Sequence, residues 1–242
     1  MAHRSARLAC FVALVMISTS APAAQAGSGC LLRTPQIGLD SAPLQSYLNT
    51  RDGGINVLMD QLDDQYFSVP IASTTPYQVV KLAFAPASSS IGIYRAPDPS
   101  GTPTCYPVFP TNRQTGWFAQ CAFPGPGLLT ILWFDENAVF QGSNAYSGFD
   151  GTIVGWYLQN PSGIYYSQDA RNGGHPQVLT FAGTGAHANE FWECFEGSPY
   201  SGGTSTFAEA VLEVDPRGAG GVQLCATPVH GTTWGRLKTT YR

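Results

Sequence analysis

The chain has 242 residues, of which only 12% are charged, while glycine (27) and proline (18) are frequent. Its formal net charge is −4 and its only lysines are Lys81 and Lys238, so it lacks the basic surface that nucleic-acid binding requires. The length fits one large domain or two small ones. Few charges with many Gly, Pro, Ser and Thr residues predict an all-β fold of short strands joined by turns.

Residues 1–26 have the pattern of a secretory signal peptide. Two arginines precede the apolar run 8–17, and Ala24 and Ala26 supply the small residues of a cleavage site before Gly27. The apolar run is too short to span a bilayer, and no later run approaches 18 apolar residues. We therefore predict a secreted or cell-surface protein without a transmembrane segment.

Export to an oxidising compartment favours disulfide bonds. Cys105 and Cys121 flank a turn-rich stretch, which predicts a crosslinked hairpin, and Cys194 and Cys225 fall in two later strand-like runs as a second pair. Cys30 is then left free or pairs between molecules. No C-x-x-C motif occurs, so a zinc ribbon is not indicated.

The first predicted element is a short helix over residues 41–49. Ser41 can cap it and Pro43 suits its first turn, while Leu44, Tyr47 and Leu48 recur at helical spacing.

Apolar and polar residues then alternate, as in half-buried strands. In 77–85, Val80, Leu82 and Phe84 share one face. The run 128–134 is apolar at almost every position, which predicts a central strand buried on both faces. The remaining predicted strands are 91–95, 116–123, 152–158, 164–167, 178–182, 190–196, 208–214 and 222–226.

Strands at this spacing predict a single antiparallel β-sandwich or jelly roll. We assign it to residues 39–228, after a leader at 27–38. Residues 229–242 form a basic tail with Trp234 and Tyr241, which we interpret as a frayed terminus or a docked strand in preference to a sorting signal.

Three glutamates, Glu190, Glu193 and Glu196, are the first candidates for catalysis, because glycosidases use paired carboxylates. Within one strand Glu190 and Glu196 would lie roughly 20 Å apart and Glu193 would point to the other face. Glycosidases need about 5–9.5 Å, so only a partner from another strand could complete a pair.

Other catalytic and binding signatures are weak. The histidines His175, His187 and His230 form no metal-binding motif, and we interpret each as a solvated loop residue. No G-x-S-x-G, P-loop or dinucleotide fingerprint occurs. A group of aromatic residues could line a sugar-binding surface, although we favour half-buried strand side chains for them: Trp156, Tyr157, Tyr165, Tyr166 and Trp192.

Several short motifs together resemble domain-of-unknown-function family 4114. They are LQSYLN at 44–49 with INV at 55–57 and DQL at 60–62, IGIY at 91–94, GIYYS at 163–167 followed by DARN and His175, FE at 195–196, and TFAEAV at 206–211. The resemblance implies a secreted bacterial β-sandwich of unknown molecular role with an acidic block that looks like a calcium site.

The acidic block is degenerate in this chain. Gly197, Thr206 and Ala208 replace oxygen donors of the family pattern, and only Glu196 and Glu209 keep carboxylates. Calcium takes six to eight oxygen ligands, whereas this block keeps only two carboxylates. Glu196 and Glu209 are therefore the candidate metal ligands, but they would form a poor calcium site. We expect no cofactor.

The sequence therefore predicts a secreted, non-catalytic β-sandwich module that binds an extracellular glycan or a cell-surface component. Two alternatives stay open. One is a secreted glycan-active hydrolase that uses carboxylates from different strands. The other is a purely structural surface protein, which would have a flat polar exterior and no cleft.

Overall fold

Two antiparallel β-sheets pack face to face in the computed structural model of the chain. The structure describes residues 40–63, 67–68, 73–96, 101–149, 153–188, 190–200 and 204–215. The all-β sandwich predicted from the sequence is therefore confirmed. The signal segment, the leader, Cys30, Cys225, His230, the predicted strand 222–226 and the tail 229–242 lie outside the described residues.

One α-helix and twelve strands occur in the described residues. They are α1 (Ala42–Asn49), β1 (Phe67–Ser68), β2 (Ser73–Phe84), β3 (Ser90–Arg95), β4 (Cys105–Phe109), β5 (Phe118–Gly125), β6 (Gly127–Phe134), β7 (Phe140–Phe149), β8 (Ile153–Asn160), β9 (Gly163–Tyr166), β10 (Val178–Ala182), β11 (Phe191–Phe195) and β12 (Ala210–Asp215). Short 3₁₀ turns follow β9 (Asp169–Asn172) and β10 (Gly185–His187).

The larger sheet has the strand order β10-β11-β12-β2-β5-β6-β7, and the smaller has the order β1-β8-β3-β4, with β9 also paired to β8. Every pairing is antiparallel. The inner faces enclose the main core, which includes Val80, Ile93, Phe123 and Trp156. Trp133 of the larger sheet also donates its indole N–H to the Val108 carbonyl oxygen of the smaller sheet at 2.6 Å.

Helix α1 covers one half of the outer side of the larger sheet. Leu44 and Leu48 are fully buried there against Phe181 and Trp192 in a second core. Ser41 is the N-cap residue of α1, as predicted, but the expected capping bond is wrong, because its side chain makes no capping hydrogen bond; the Asp40 carboxylate instead accepts from the Ala42 N–H at 3.3 Å.

The predicted double-sided burial of 128–134 is also wrong. In β6, Leu129 and Ile131 are buried between the sheets, but alternate side chains, including Leu132 and Phe134, are only half-buried. The outer side of β6 is therefore partly open to solvent, although its sequence is almost entirely apolar.

The predicted disulfide between Cys105 and Cys121 is not formed, and both residues are free thiols. Cys121 points into the core between the sheets, whereas Cys105 packs with Tyr94 and Tyr157 on the outer side of the smaller sheet. The two side chains thus lie on different faces. Cys194 is also a free, fully buried thiol, and its predicted partner is outside the described residues.

Within the described part of the chain, the structure has no helix of the length and apolarity needed to cross a bilayer.

Candidate functional site

A single row of paired residues crosses the outer side of the larger sheet from β10 to β7. The row consists of Phe181, Trp192, Glu213, Lys81, Phe118, Phe134 and Phe140, each paired with the next. Phe181 and Trp192 are fully buried under α1, and Phe140 at the other end is 56% exposed. Since strand pairing brings these side chains to one face, the row runs from a half of that face covered by α1 to an open half.

We call the open half the open face; its residues belong to β5, β6 and β7, and are Phe118, Gln120, Ala122, Leu128, Thr130, Leu132, Phe134, Phe140, Ser143, Ala145 and Ser147. The rings of Phe118 and Phe134 stack with centroids 5.0 Å apart and an interplanar angle of 11°. Phe140 meets Phe134 edge-on at 5.8 Å. These three rings form an aromatic ladder, and Val139 beside it is 56% exposed.

Four of the five aromatic residues that the sequence offered for a sugar-binding surface are buried; the fifth, Tyr166, is half-buried and meets Tyr94 edge-on. Trp156, Tyr157, Tyr165 and Trp192 are all at most 6% exposed. Our preference for strand packing was therefore right for these four. The aromatic ladder was missed, because Phe134 lay in an apolar run and Phe140 lay in a segment without strand periodicity.

The two metal candidates, Glu196 and Glu209, are brought together by the structure. Glu196 follows β11 and Glu209 precedes β12, and the Glu209 N–H donates to the Phe195 carbonyl oxygen at 3.2 Å. The two carboxyl groups are hydrogen-bonding neighbours. The sequence resemblance thus identified two residues that do meet in space.

Backbone N–H groups donate hydrogen bonds to both of these carboxylates. Glu196 Oε2 accepts from the Thr206 N–H at 2.8 Å and the Phe207 N–H at 3.3 Å, and Glu209 Oε2 accepts from the Gly197 N–H at 2.9 Å. Phe207 is held at a φ of +51°, in the left-handed region, which turns two successive N–H groups towards one oxygen.

Burial and the neighbouring Glu209 carboxylate raise the pKa of Glu196, although the two backbone N–H groups oppose this shift. A calcium ion would need six to eight oxygen ligands. Glu196 and Glu209 do not fit such an ion, because three of their oxygen contacts are N–H donors and the carboxyl groups face each other.

The three glutamates considered for catalysis, Glu190, Glu193 and Glu196, lie in three different environments. Glu193 accepts from the Thr180 hydroxyl at 2.8 Å and is buried, while Glu196 contacts Glu209. Glu190 contacts His187 and has Glu213 of β12 nearby. They therefore share no site, as their strand spacing predicted.

A third arrangement, the His187 cluster, joins His187, Glu190 and Glu213 at the edge of the covered half. His187 Nδ1 lies 2.5 Å from Glu190 Oε2 and 3.8 Å from Glu213 Oε1, and Lys81 Nζ lies 3.4 Å from Glu213 Oε2. The hydrogen bond with Glu190 raises the pKa of His187. The sequence interpretation of His187 as a solvated loop residue missed this contact with β12.

Asp52 fixes the loop that carries His187. Its carboxylate accepts from the Thr184 N–H at 2.6 Å, from the Thr184 hydroxyl, and from the Trp192 indole N–H at 3.4 Å. Hydrogen bonds from Thr184 lower the pKa of Asp52 despite its burial, so it stays ionised. Asp52, which follows α1, therefore links this loop to Trp192 of β11 in the larger sheet.

No protein-family model, curated protein or solved structure matches this chain. The resemblance to domain-of-unknown-function family 4114 therefore stays a prediction from short motifs. Inference about function rests on the chain's own residues and their geometry.

Proposed function

We propose that this chain is a secreted, non-catalytic β-sandwich module that binds a neutral extracellular or cell-surface glycan through the open face. The observation that carries the proposal is the aromatic ladder of Phe118, Phe134 and Phe140, which ends in a ring that is 56% exposed. Exposed contiguous apolar patches on a soluble protein typically mark interaction sites.

The chemistry of the open face favours an uncharged ligand with both apolar and hydroxyl groups. All eleven of its positions are uncharged, and Lys81 lies at its border, paired with Phe118. Aromatic rings provide flat apolar contact area, and Gln120, Thr130 and Ser143 provide amide and hydroxyl groups beside them. A sugar ring has this combination of C–H surface and hydroxyl groups.

Two features support binding without catalysis. The open-face positions carry no carboxylate, which glycosidases use for acid–base chemistry. In addition, Glu196 is 4% exposed and is bonded to backbone N–H groups, so it is not placed to transfer a proton to a polysaccharide.

Secretion is part of the proposal because of the signal-like pattern in residues 1–26. It predicts a mature protein that begins at Gly27. N-terminal sequencing of protein recovered from culture supernatant tests this, and an intact Met1 there would contradict it.

One observation favours a second candidate function, glycan hydrolysis. Glu190, just before β11, and Glu213 of β12 have carboxylate oxygens within 4.8 Å, close to the spacing of about 5–5.5 Å in retaining glycosidases. However, Glu190 is bonded to His187 and Glu213 contacts Lys81, and Glu190 is only 8% exposed. These contacts favour binding over hydrolysis.

The experiment is a glycan array and a cell-wall pulldown with the purified mature protein, together with an assay for released reducing sugar. We expect retention on a neutral glycan without sugar release. Hydrolysis that is lost in Glu213→Gln would establish the second candidate instead. Absence of retention on every glycan and on cell walls would leave the structural-protein alternative and contradict the proposal.

A further inference from the structure

The His187 cluster lies outside the open face and has no part in the proposed glycan binding. It combines an imidazole nitrogen from the β10–β11 loop, a carboxylate from the residue just before β11 and a carboxylate in the middle of β12. All three ligand atoms lie within 4.8 Å of one another. We propose that His187, Glu190 and Glu213 bind one divalent transition-metal ion of the zinc class.

The distances between the ligand atoms fit one small ion. Two ligands on the same tetrahedral zinc ion lie roughly 3.3 Å apart, given bonds of about 2.0–2.1 Å. The distances from His187 Nδ1 are 2.5 Å to Glu190 and 3.8 Å to Glu213, one shorter and one longer than this value. Since all three ligand atoms lie within 4.8 Å of one another, an ion between them needs their separations to change by at most roughly 1.5 Å, and it replaces the His187–Glu190 hydrogen bond.

Hydrogen bonds and close packing hold the backbone at residues 183–187. Asp52 holds Thr184, three residues before His187, through both its N–H and its hydroxyl group. The Gly183 N–H donates to the Glu190 carbonyl oxygen at 2.9 Å, and a Cβ at Gly183 would clash with the His187 carbonyl group. Ligands on a braced loop lose little freedom on binding, which favours affinity.

Charge favours a cation at this place. Three carboxylates, those of Asp52, Glu190 and Glu213, act on His187 electrostatically. Lys81 contacts the Glu213 oxygen Oε2, whereas Oε1 faces His187. Glu213 can therefore bind an ion through Oε1 while it keeps Lys81 on Oε2.

The ligand types select the class of metal. Calcium and magnesium prefer sites built from oxygen alone, whereas an imidazole with carboxylates suits zinc, manganese, iron, cobalt and nickel. Three protein ligands leave a coordination position for water. The side chains of His187 and Glu213 are 28% and 15% exposed, so an ion can reach them from solvent.

Calorimetric titration of the chelator-treated full chain with Zn²⁺, together with the absorption spectrum of its Co²⁺ form, tests the proposal. We expect one saturable site with a cobalt spectrum of nitrogen and oxygen ligands. His187→Gln and Glu213→Gln are each expected to weaken Zn²⁺ binding by at least about tenfold, since loss of even a supporting residue costs 10–100-fold. Lys81→Met is expected to tighten binding, because it removes a competing cation from Glu213.

His175→Gln is the matched control, because His175 is an exposed loop histidine that stacks on Tyr200, outside the cluster. We expect its Zn²⁺ affinity to equal that of the unaltered protein. Melting curves in chelator establish that each variant is folded, and Glu190→Gln replaces any variant that is not.

Absence of saturable Zn²⁺ binding would overturn the proposal, and so would unchanged affinity in both His187→Gln and Glu213→Gln. A cobalt–thiolate absorption band would do the same, since it would place the ion on cysteine. None of these results depends on glycan binding, so the metal site and the proposed function fail or hold separately.

Discussion

At the residue scale, Gly155 on β8 shows how closely the smaller sheet packs around a buried tyrosine. The Tyr94 hydroxyl donates to Gln168 Oε1 at 3.1 Å and accepts from the Gln168 N–H at 3.2 Å, and burial raises its pKa to about 12. A Cβ on Gly155 would lie 2.5 Å from that hydroxyl oxygen and 2.7 Å from Ser167 Oγ. The side chain of any other residue would displace Tyr94 from these hydrogen bonds.

We therefore expect Gly155→Ala to lower the free energy of unfolding by about 1–3 kcal/mol, the usual cost of overpacking. Urea denaturation followed by fluorescence measures it. Gly125→Ala in β5 is the matched control, because a Cβ there meets no heavy atom within 4 Å, and we expect it to change stability by less than about 0.5 kcal/mol. Equal effects of the two substitutions would contradict the packing described for Gly155.

Glu196 gives a prediction about pH. Because burial and Glu209 raise its pKa above the ordinary 4.5, the folded state keeps its proton at pH values where the unfolded state has lost it. The stability from this proton is fully present below pH 4.5 and is lost as the pH rises through the raised pKa. The loss grows with the difference between the pKa of Glu196 in the folded state and its pKa in the unfolded state.

Glu196→Gln removes that titration and keeps an oxygen for the Thr206 and Phe207 N–H groups. We expect its melting temperature, relative to the unaltered protein, to increase between pH 4 and pH 7. Scanning calorimetry across this range is the measurement. The exposed Glu136→Gln serves as control and should show no such trend. A constant difference between Glu196→Gln and the unaltered protein at all pH values would refute the assigned pKa direction.

At the element scale, one aspartate organises the hairpin that presents Phe140. The Asp135 carboxylate accepts from the Asn137 and Val139 N–H groups, each at 2.9 Å, and from the Gln141 side-chain amide at 2.8 Å. Ala138 between them has a φ of +61°, in the left-handed region. The carboxylate therefore stabilises a turn whose backbone is otherwise unfavourable.

We expect Asp135→Ala to destabilise the β6–β7 hairpin by about 1–2 kcal/mol, since it removes three hydrogen bonds that are partly exposed. Hydrogen–deuterium exchange should become faster in residues 139–149 and change little in β3 and β8. Glu136→Ala, next in sequence, is the control and should leave exchange unchanged. Uniform acceleration across both sheets would mean that the hairpin has no separate stability.

The elements of this fold were predictable where alternation was regular. Strand β10 occurs at the predicted residues, and β5 overlaps the predicted strand 116–123, with Ala119, Cys121 and Phe123 buried at alternate positions. β4 and β7 were missed, because β4 contains a proline and β7 is a glycine-, serine- and asparagine-rich strand with mostly exposed residues. Such strands form because neighbouring strands pair with them. This pairing depends on the tertiary structure and leaves no signal in the local hydrophobic pattern of the sequence.

At the scale of the whole molecule, the candidate sites were predictable only in part. Glu196 and Glu209 were identified through motif resemblance, and the structure brings them together. The His187 cluster could not be found, because it depends on the register that pairs Trp192 with Glu213 and Glu213 with Lys81. The open face depends on α1 covering only one half of the larger sheet, which is a property of packing.

Because Glu196 and Glu209 do not fit a calcium ion, we expect calcium to change the stability of the whole fold only slightly. A native-state site stabilises by about 2.7 kcal/mol when the ligand is at a hundred times its Kd, which would raise the melting temperature by roughly 5–10 °C. We expect a shift below about 2 °C when millimolar Ca²⁺ is added after chelation. A larger shift that disappears in Glu209→Gln would show that these carboxylates bind calcium after all.

The central claim is that the open face binds a neutral glycan. Affinity electrophoresis in gels that contain the polysaccharide selected by the array compares the unaltered protein with Phe140→Ala and Met59→Ala. Met59 is the matched control, because it is an apolar side chain that is 62% exposed, away from the open face in the segment between α1 and β1.

Loss of an aromatic contact worth about 0.5–1.5 kcal/mol corresponds to roughly a two- to tenfold weaker Kd. We expect Phe140→Ala to show this loss and Met59→Ala to bind as the unaltered protein does. Equal retardation of all three proteins would contradict the assignment of glycan binding to the open face.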